Sequence, residues 1–136
     1  MSRITVIGGT GYACSNIVRE AHARGHAVAC FSRREPDTRL DRVTYHLGSA
    51  HDTATVAYAV VGADVIVVAL APYGELEETF PQTVLSIADL ARAEGARPGV
   101  VGSSGSLLAA PEVPKVYETP DFPAQYGPIG RNDGRA

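Results

Sequence analysis

Apolar and polar positions along the chain alternate between two kinds of block. Residues 3–7, Arg-Ile-Thr-Val-Ile, read as a short buried strand, and Gly8-Gly9-Thr10-Gly11 breaks it. Residues 12–24 follow a helical period, with Ala13, Ile17 and Ala21 on one face and Gly25 as the left-handed stop. Residues 27–31 read as a second strand. The polar stretch 32–41, which contains Pro36, reads as a loop. Residues 42–46 form a third strand, with Val43 and Tyr45 sharing a face. Asp52 suits the N-cap of a short helix that runs through Val61 and stops at Gly62. Residues 65–69 are the most apolar run and predict a central strand. A long helix is expected over 75–94, with Val84, Ile87, Ala88 and Ala91 inward, Pro81 near its start and Gly95 as its stop. Residues 99–101 read as a fifth strand.

Strand and helix alternate almost without exception, which predicts an α/β chain with a parallel sheet covered on both faces. From Pro111 the character changes. Pro111, Pro114, Pro120, Pro123 and Pro128 recur with no apolar period, and residues 127–136 read as unstructured. The expected organisation is therefore one domain over 1–110 and a proline-rich irregular tail over 111–136.

Composition narrows the class. The chain has 136 residues, which suits one domain, and 45% hydrophobic residues, which is enough for a core. The formal net charge is -3 and no basic stripe appears, so nucleic acid is not an expected partner. No apolar run reaches the roughly 18 residues of a membrane helix, and no charged-then-apolar leader pattern opens the chain. Cys14 and Cys30 are too few for a disulfide framework and read as reduced thiols of a cytoplasmic protein.

The chemistry sits in the first break. Gly8-Gly9-Thr10-Gly11-Tyr12-Ala13-Cys14 lies between a strand and a helix, where a tight turn lets backbone approach a pyrophosphate and aims helix amides at it. Together with the alternation, this predicts a Rossmann-like doubly wound parallel sheet of about five strands in order 3-2-1-4-5, incomplete at its C-terminal side. Cys14 occupies the third small position of the turn. Its two readings are simple packing and a redox role, since a helix N-terminus can lower a thiol pKa.

The end of the second strand sets the cofactor. An NAD site places Asp or Glu about twenty residues after the turn. This chain has Phe31-Ser32-Arg33-Arg34, so a hydroxyl and two guanidinium groups await a 2′-phosphate, and Glu35 can pair with either arginine. NADP(H) is accordingly expected over NAD(H).

These residues resemble a known family. Residues 4–34, the Gly62-Ala63-Asp64-Val65-Ile66 stretch, Val101-Gly102-Ser103-Ser104-Gly105-Ser106-Leu107 and Thr119-Pro120-Asp121-Phe122-Pro123 are similar to segments of the atypical short-chain dehydrogenase/reductases. The likeness is strongest to the small NmrA-like NAD(P)H-binding proteins of NADH-flavin reductase type. The resemblance implies that Gly8, Thr10, Gly11, Tyr12 and Ala13 form the pyrophosphate turn and that Ser32, Arg33 and Arg34 meet the 2′-phosphate. It implies that Ala69, Leu70 and Ala71 line the nicotinamide side, and that family members continue past this chain's last residue. Cys14 stands for a glycine, Ser49 for a frequent Asp, and Ser103 and Ser104 for Gly-Ala.

The catalytic pattern of ordinary short-chain dehydrogenases, Tyr-x-x-x-Lys, is missing: Lys115 is the one lysine and no tyrosine precedes it by four. Ser103, Ser104 and Ser106 follow the fifth strand and read as loop hydroxyls. His22 and His26 have a metal-compatible spacing but lack a third ligand. Glu75, Glu77 and Glu78 are placed at the start of the long helix. Two readings stay open. One is an NADPH-dependent reductase of a flavin, quinone or similar small molecule. The other is a non-catalytic NADP(H) sensor of NmrA type. An exposed fifth strand also makes a homodimer an expected partner.

Overall fold

In the computed structural model, which describes residues 1–8, 11–103, 107 and 110–127, five short strands pair in parallel in the order β3-β2-β1-β4-β5. They are β1 (Arg3–Ile7), β2 (Ala27–Ser32), β3 (Val43–Leu47), β4 (Val65–Val68) and β5 (Arg97–Val100). The helices are α1 (Tyr12–Ala23), α2 (Thr53–Val60) and α3 (Phe80–Glu94). The expected strand order is the observed one, and the fold is Rossmann-like.

Strand alternation divides the core into two layers. Val6, Val28 and Cys30 pack with Cys14, Val18 and Ala21 of α1, and Ile4, Val43, Tyr45 and Val67 extend that layer. The neighbouring strand positions face the other way. There Thr5 Oγ1 donates to the Ala59 carbonyl at 3.3 Å, which ties β1 to α2. Gly25, Gly62 and Gly95 end their helices with φ of 79°, 67° and 69°, the left-handed values expected of them.

One helix face and the limits of several elements differ from the sequence expectation. The buried face of α1 is Cys14, Val18 and Ala21, not Ala13, Ile17 and Ala21. An i, i+4, i+8 series drifts by about 40° per step around a helix, so its first members leave the core. β3 starts at Val43 because Arg42 has φ 63°, which no strand residue adopts. α3 starts at Phe80, so Pro81 lies in the first turn, where it breaks no helical hydrogen bond. Gly74–Leu76 before it is a separate 3-10 turn, and Glu75, Glu77 and Glu78 do not belong to the long helix. β5 is Arg97–Val100, fixed by Arg97 N–H on the Asp64 carbonyl at 3.0 Å and Val101 N–H on the Val68 carbonyl at 2.8 Å.

The chain divides into two compact units, Met1–Leu70 with Ser86–Val101, and Ala71–Leu85 with the residues from Gly102 onward. The first holds the sheet. In the second, Val116–Glu118 and Ala124–Tyr126 are 3-10 turns, and Val116 N–H bonds the Leu107 carbonyl at 2.8 Å. Among the described residues no helix is long and apolar enough to cross a membrane.

Candidate dinucleotide-binding site

The carboxyl ends of β2, β1 and β4 lie side by side, since Ile7 is in register with Phe31 on one flank and Val68 on the other. The chain leaves all three strands together. Gly8 N–H donates to the Phe31 carbonyl at 3.2 Å, and Ala69 N–H donates to the Ile7 carbonyl at 2.6 Å. Ser32, Gly8 and Ala69 are thus neighbours at the point where the strand order reverses, the crevice in which such sheets bind ligands.

The two described glycines of the turn do different work. Gly8 has φ 153°, and a Cβ there would sit 2.3 Å from the Ala69 carbonyl oxygen. Its side-chain-free approach is to the exit of β4, where the sequence suggests approach to a pyrophosphate. Gly11 has the opposite environment, with nothing within 4 Å of an added Cβ. It is the N-cap of α1 in an extended conformation, with no side-chain cap and no acidic residue in the first turn. Tyr12 and Ala13 open the helix, so their amides have no carbonyl one turn back to bond. Open space, uncapped amides and no opposing carboxylate together fit a phosphate group. Tyr12 is 90% exposed. Thr10 lies outside the described residues.

Ser32 is 3% exposed, and its Oγ donates to the Arg34 carbonyl at 2.6 Å. With its proton so used, the hydroxyl shapes the turn that presents Arg33 and Arg34, both exposed. Glu35 is bound by Arg39 through contacts of 2.6 to 3.0 Å. Gly48, which the sequence reading passes over, completes this corner. Its N–H bonds the Ser32 carbonyl at 2.9 Å, and a Cβ there would meet Thr55 Cγ2 at 2.8 Å and the Phe31 ring at 3.1 Å. A glycine directly after β3 is the signal that could have found it. Ala69 packs on the α1 layer, and Leu70 follows at the end of the first unit. Ala71 belongs to the second unit, where its carbonyl accepts from Tyr73 N–H at 2.9 Å.

Cys14 faces inward, 1% exposed, with its Sγ 3.9 Å from Cys30 Sγ. That hydrogen bond, and then burial, push the Cys14 thiol well above its ordinary value. The helix N-terminus does not activate it, and packing is the role its surroundings support.

The remaining residues stay apart. His26 Nδ1 accepts from Ser2 N–H at 3.2 Å, and no group of three metal-ligating side chains occurs among the described residues. Lys115 opens a 3-10 turn in the second unit, with its ammonium 5.9 Å from the Tyr117 ring centre. Ser104 and Ser106 lie outside the described residues.

A five-stranded parallel sheet with a glycine turn at its reversal point defines a Rossmann-like nucleotide-binding protein. The chain belongs to the NAD(P)H-binding family, whose model matches residues 8–127. YwnB, an uncharacterized protein of Bacillus subtilis, is 29% identical over 134 residues, which cover 97% of this chain and 62% of that protein. A Burkholderia pseudomallei structure assigned as an exported protein is 31% identical, with TM-score 0.81, over 98% of this chain and 62% of its own. A Streptococcus pneumoniae structure assigned as an NADH-flavin reductase has TM-score 0.82 at 24% identity and shares the fold, over 99% of this chain and 63% of its own. The chain thus spans less than two thirds of the length of these relatives.

Proposed function

We propose that the chain binds NADP(H) in preference to NAD(H) at the carboxyl ends of β2, β1 and β4, as the nucleotide-binding part of a reductase acting on a flavin, quinone or similar small molecule. The observation that carries this is the corner of Ser32, Gly8 and Gly48: it ends β2 in two exposed arginines and no carboxylate. Gly11, Tyr12 and Ala13 hold the pyrophosphate by backbone amides. Arg33 and Arg34 meet the 2′-phosphate, and Ser32 positions them. Ala69 and Leu70 flank the nicotinamide. The bound nicotinamide supplies the hydride, so the protein's part is to hold and orient it. Cys14 and Cys30 as free thiols support a cytoplasmic setting.

Calorimetric titration with NADPH and NADH tests the reading. A preference for NADPH of about ten- to a hundredfold is expected from charge-assisted hydrogen bonds to the extra phosphate. Arg33→Ala should remove much of it and leave NADH binding nearly unchanged. Equal affinity of the parent protein for both cofactors would overturn the assignment. The second reading, a non-catalytic NADP(H) sensor, draws on the missing Tyr-x-x-x-Lys pattern. NADPH oxidation assayed with FMN, FAD and simple quinones separates the two, since a sensor binds without turnover.

A further inference from the structure

On the α2 side of the sheet, at the amino ends of the strands, lies a cleft of about 370 Å3. Its floor is one rung of small side chains, since Thr5 is in register with Ala29 and Ala29 with Thr44. The next rung toward the dinucleotide site is Ile7, Phe31 and His46. Ile7 and Phe31 are fully buried, so the cleft ends there and is separate from the crevice at the carboxyl ends.

Two kinds of chemistry border it. Tyr58 of α2 is 72% exposed and lines one side, with the His46 ring edge-on at 5.7 Å holding its orientation. Arg3 and Arg42 line the other end, and both are exposed. Arg3 Nη1 lies 2.5 Å from where a Cβ on Gly62 would be, so the guanidinium rests against the turn that ends α2, where φ of 67° calls for glycine. Neither guanidinium has a hydrogen-bond or ion-pair partner among the described residues. Guanidinium forks match a carboxylate, and an exposed aromatic face beside alanines suits a flat apolar body. The volume lies at the lower end of the range for small-molecule pockets, which suits a single ring.

We propose that this cleft is a second binding site, for a single-ring aromatic carboxylate whose anionic group meets Arg3 and Arg42 and whose ring lies over Ala29 against Tyr58.

The test is a 1H–15N titration of the whole chain with benzoate, its neutral analogue benzamide, and inorganic phosphate. Benzoate should shift the Ala29, Thr44 and Tyr58 amides saturably. Benzamide should bind at least about tenfold more weakly, as loss of a charge-assisted pair implies. Arg42→Gln should weaken benzoate to a similar degree, and Ala29→Val should block it by filling the floor, with each variant's own spectrum reporting its fold. NADPH signals at Gly11 and Ala13 are read separately, so failure of the dinucleotide reading leaves this result intact. Equal affinity for benzoate and benzamide overturns the proposal even if a variant fails to fold. Shifts scattered over the surface, or phosphate binding at the cleft as well as benzoate does, would also overturn it.

Discussion

A methyl group at position 8 would lie 2.3 Å from the backbone oxygen of Ala69, just past β4, in a conformation with φ 153°. Neither the strand exit nor the backbone angle can yield cheaply. Gly8→Ala is therefore expected to cost about 2–5 kcal/mol of stability by overpacking and backbone strain together, measured by urea unfolding. Gly11 separates structure from function at the same turn. Its φ is -65° and its surroundings are open, so Gly11→Ala should cost no more than about 1 kcal/mol, the penalty of alanine at an N-cap. The new methyl would stand where the pyrophosphate is proposed, and NADPH affinity should fall by at least about tenfold. An unchanged affinity would move the phosphate elsewhere. The sequence makes both glycines visible and cannot tell their roles apart, because the contact that demands Gly8 comes from Ala69, sixty-one residues along the chain. Cys14 is legible as a small helix residue, but its partner Cys30 comes from β2, and that contact sets its thiol chemistry.

Local signals decided most elements. Glycine stops, apolar runs and the Asp52 cap can be read from neighbours in sequence, and those elements are where the sequence places them. β5 is less legible because Arg97-Pro98-Gly99-Val100 has almost no strand character, and only its register with β4 makes it a strand. The start of α3 is blurred by Glu75, Glu77 and Glu78, which have helical propensity but lie in a 3-10 turn and the residues after it. At α2 the cap gives a pH test. Asp52 accepts from Thr55 Oγ1 at 2.5 Å and from Thr55 N–H at 3.2 Å. The side-chain bond, then the backbone bond, hold its carboxyl below its ordinary 3.8. A depressed carboxylate stabilises above its unfolded value and loses that contribution as pH falls through the folded one. Thermal unfolding followed by circular dichroism from pH 5 downward should show Asp52→Ala less stable than the parent at pH 5. The gap should begin to narrow below about pH 3.8 and close once the pH has fallen past the lower folded value, where the parent's carboxyl is protonated. A gap that persists in acid would mean the cap's carboxylate charge is not what matters.

At the scale of the whole sheet, its open side is where association with another chain would occur, and the detail of β5 decides how readily. In a parallel pair, alternate residues turn their N–H toward the neighbour. Arg97 and Val101 donate to β4, so the positions between them alternate, and Pro98 and Val100 face outward. Proline has no N–H, so the outer edge of β5 offers Val100 as its one donor. Natural edge strands carry proline for this effect. The sequence shows Pro98 but not its orientation, which depends on the register with Val65 and Ile66; this is why an exposed fifth strand reads as a pairing template until the partners are known. A homodimer built through this edge is accordingly expected to be weak in the parent chain. Pro98→Val restores the missing donor and adds a residue with strand preference, leaving the inward-facing bonds of Arg97 and Val101 unchanged. Sedimentation velocity over a concentration series should then show the variant associating at lower concentration than the parent. Thermal unfolding should confirm that the variant retains its fold. Identical sedimentation of the two chains would show that the β5 edge is not a contact surface, and that any dimer forms through another face.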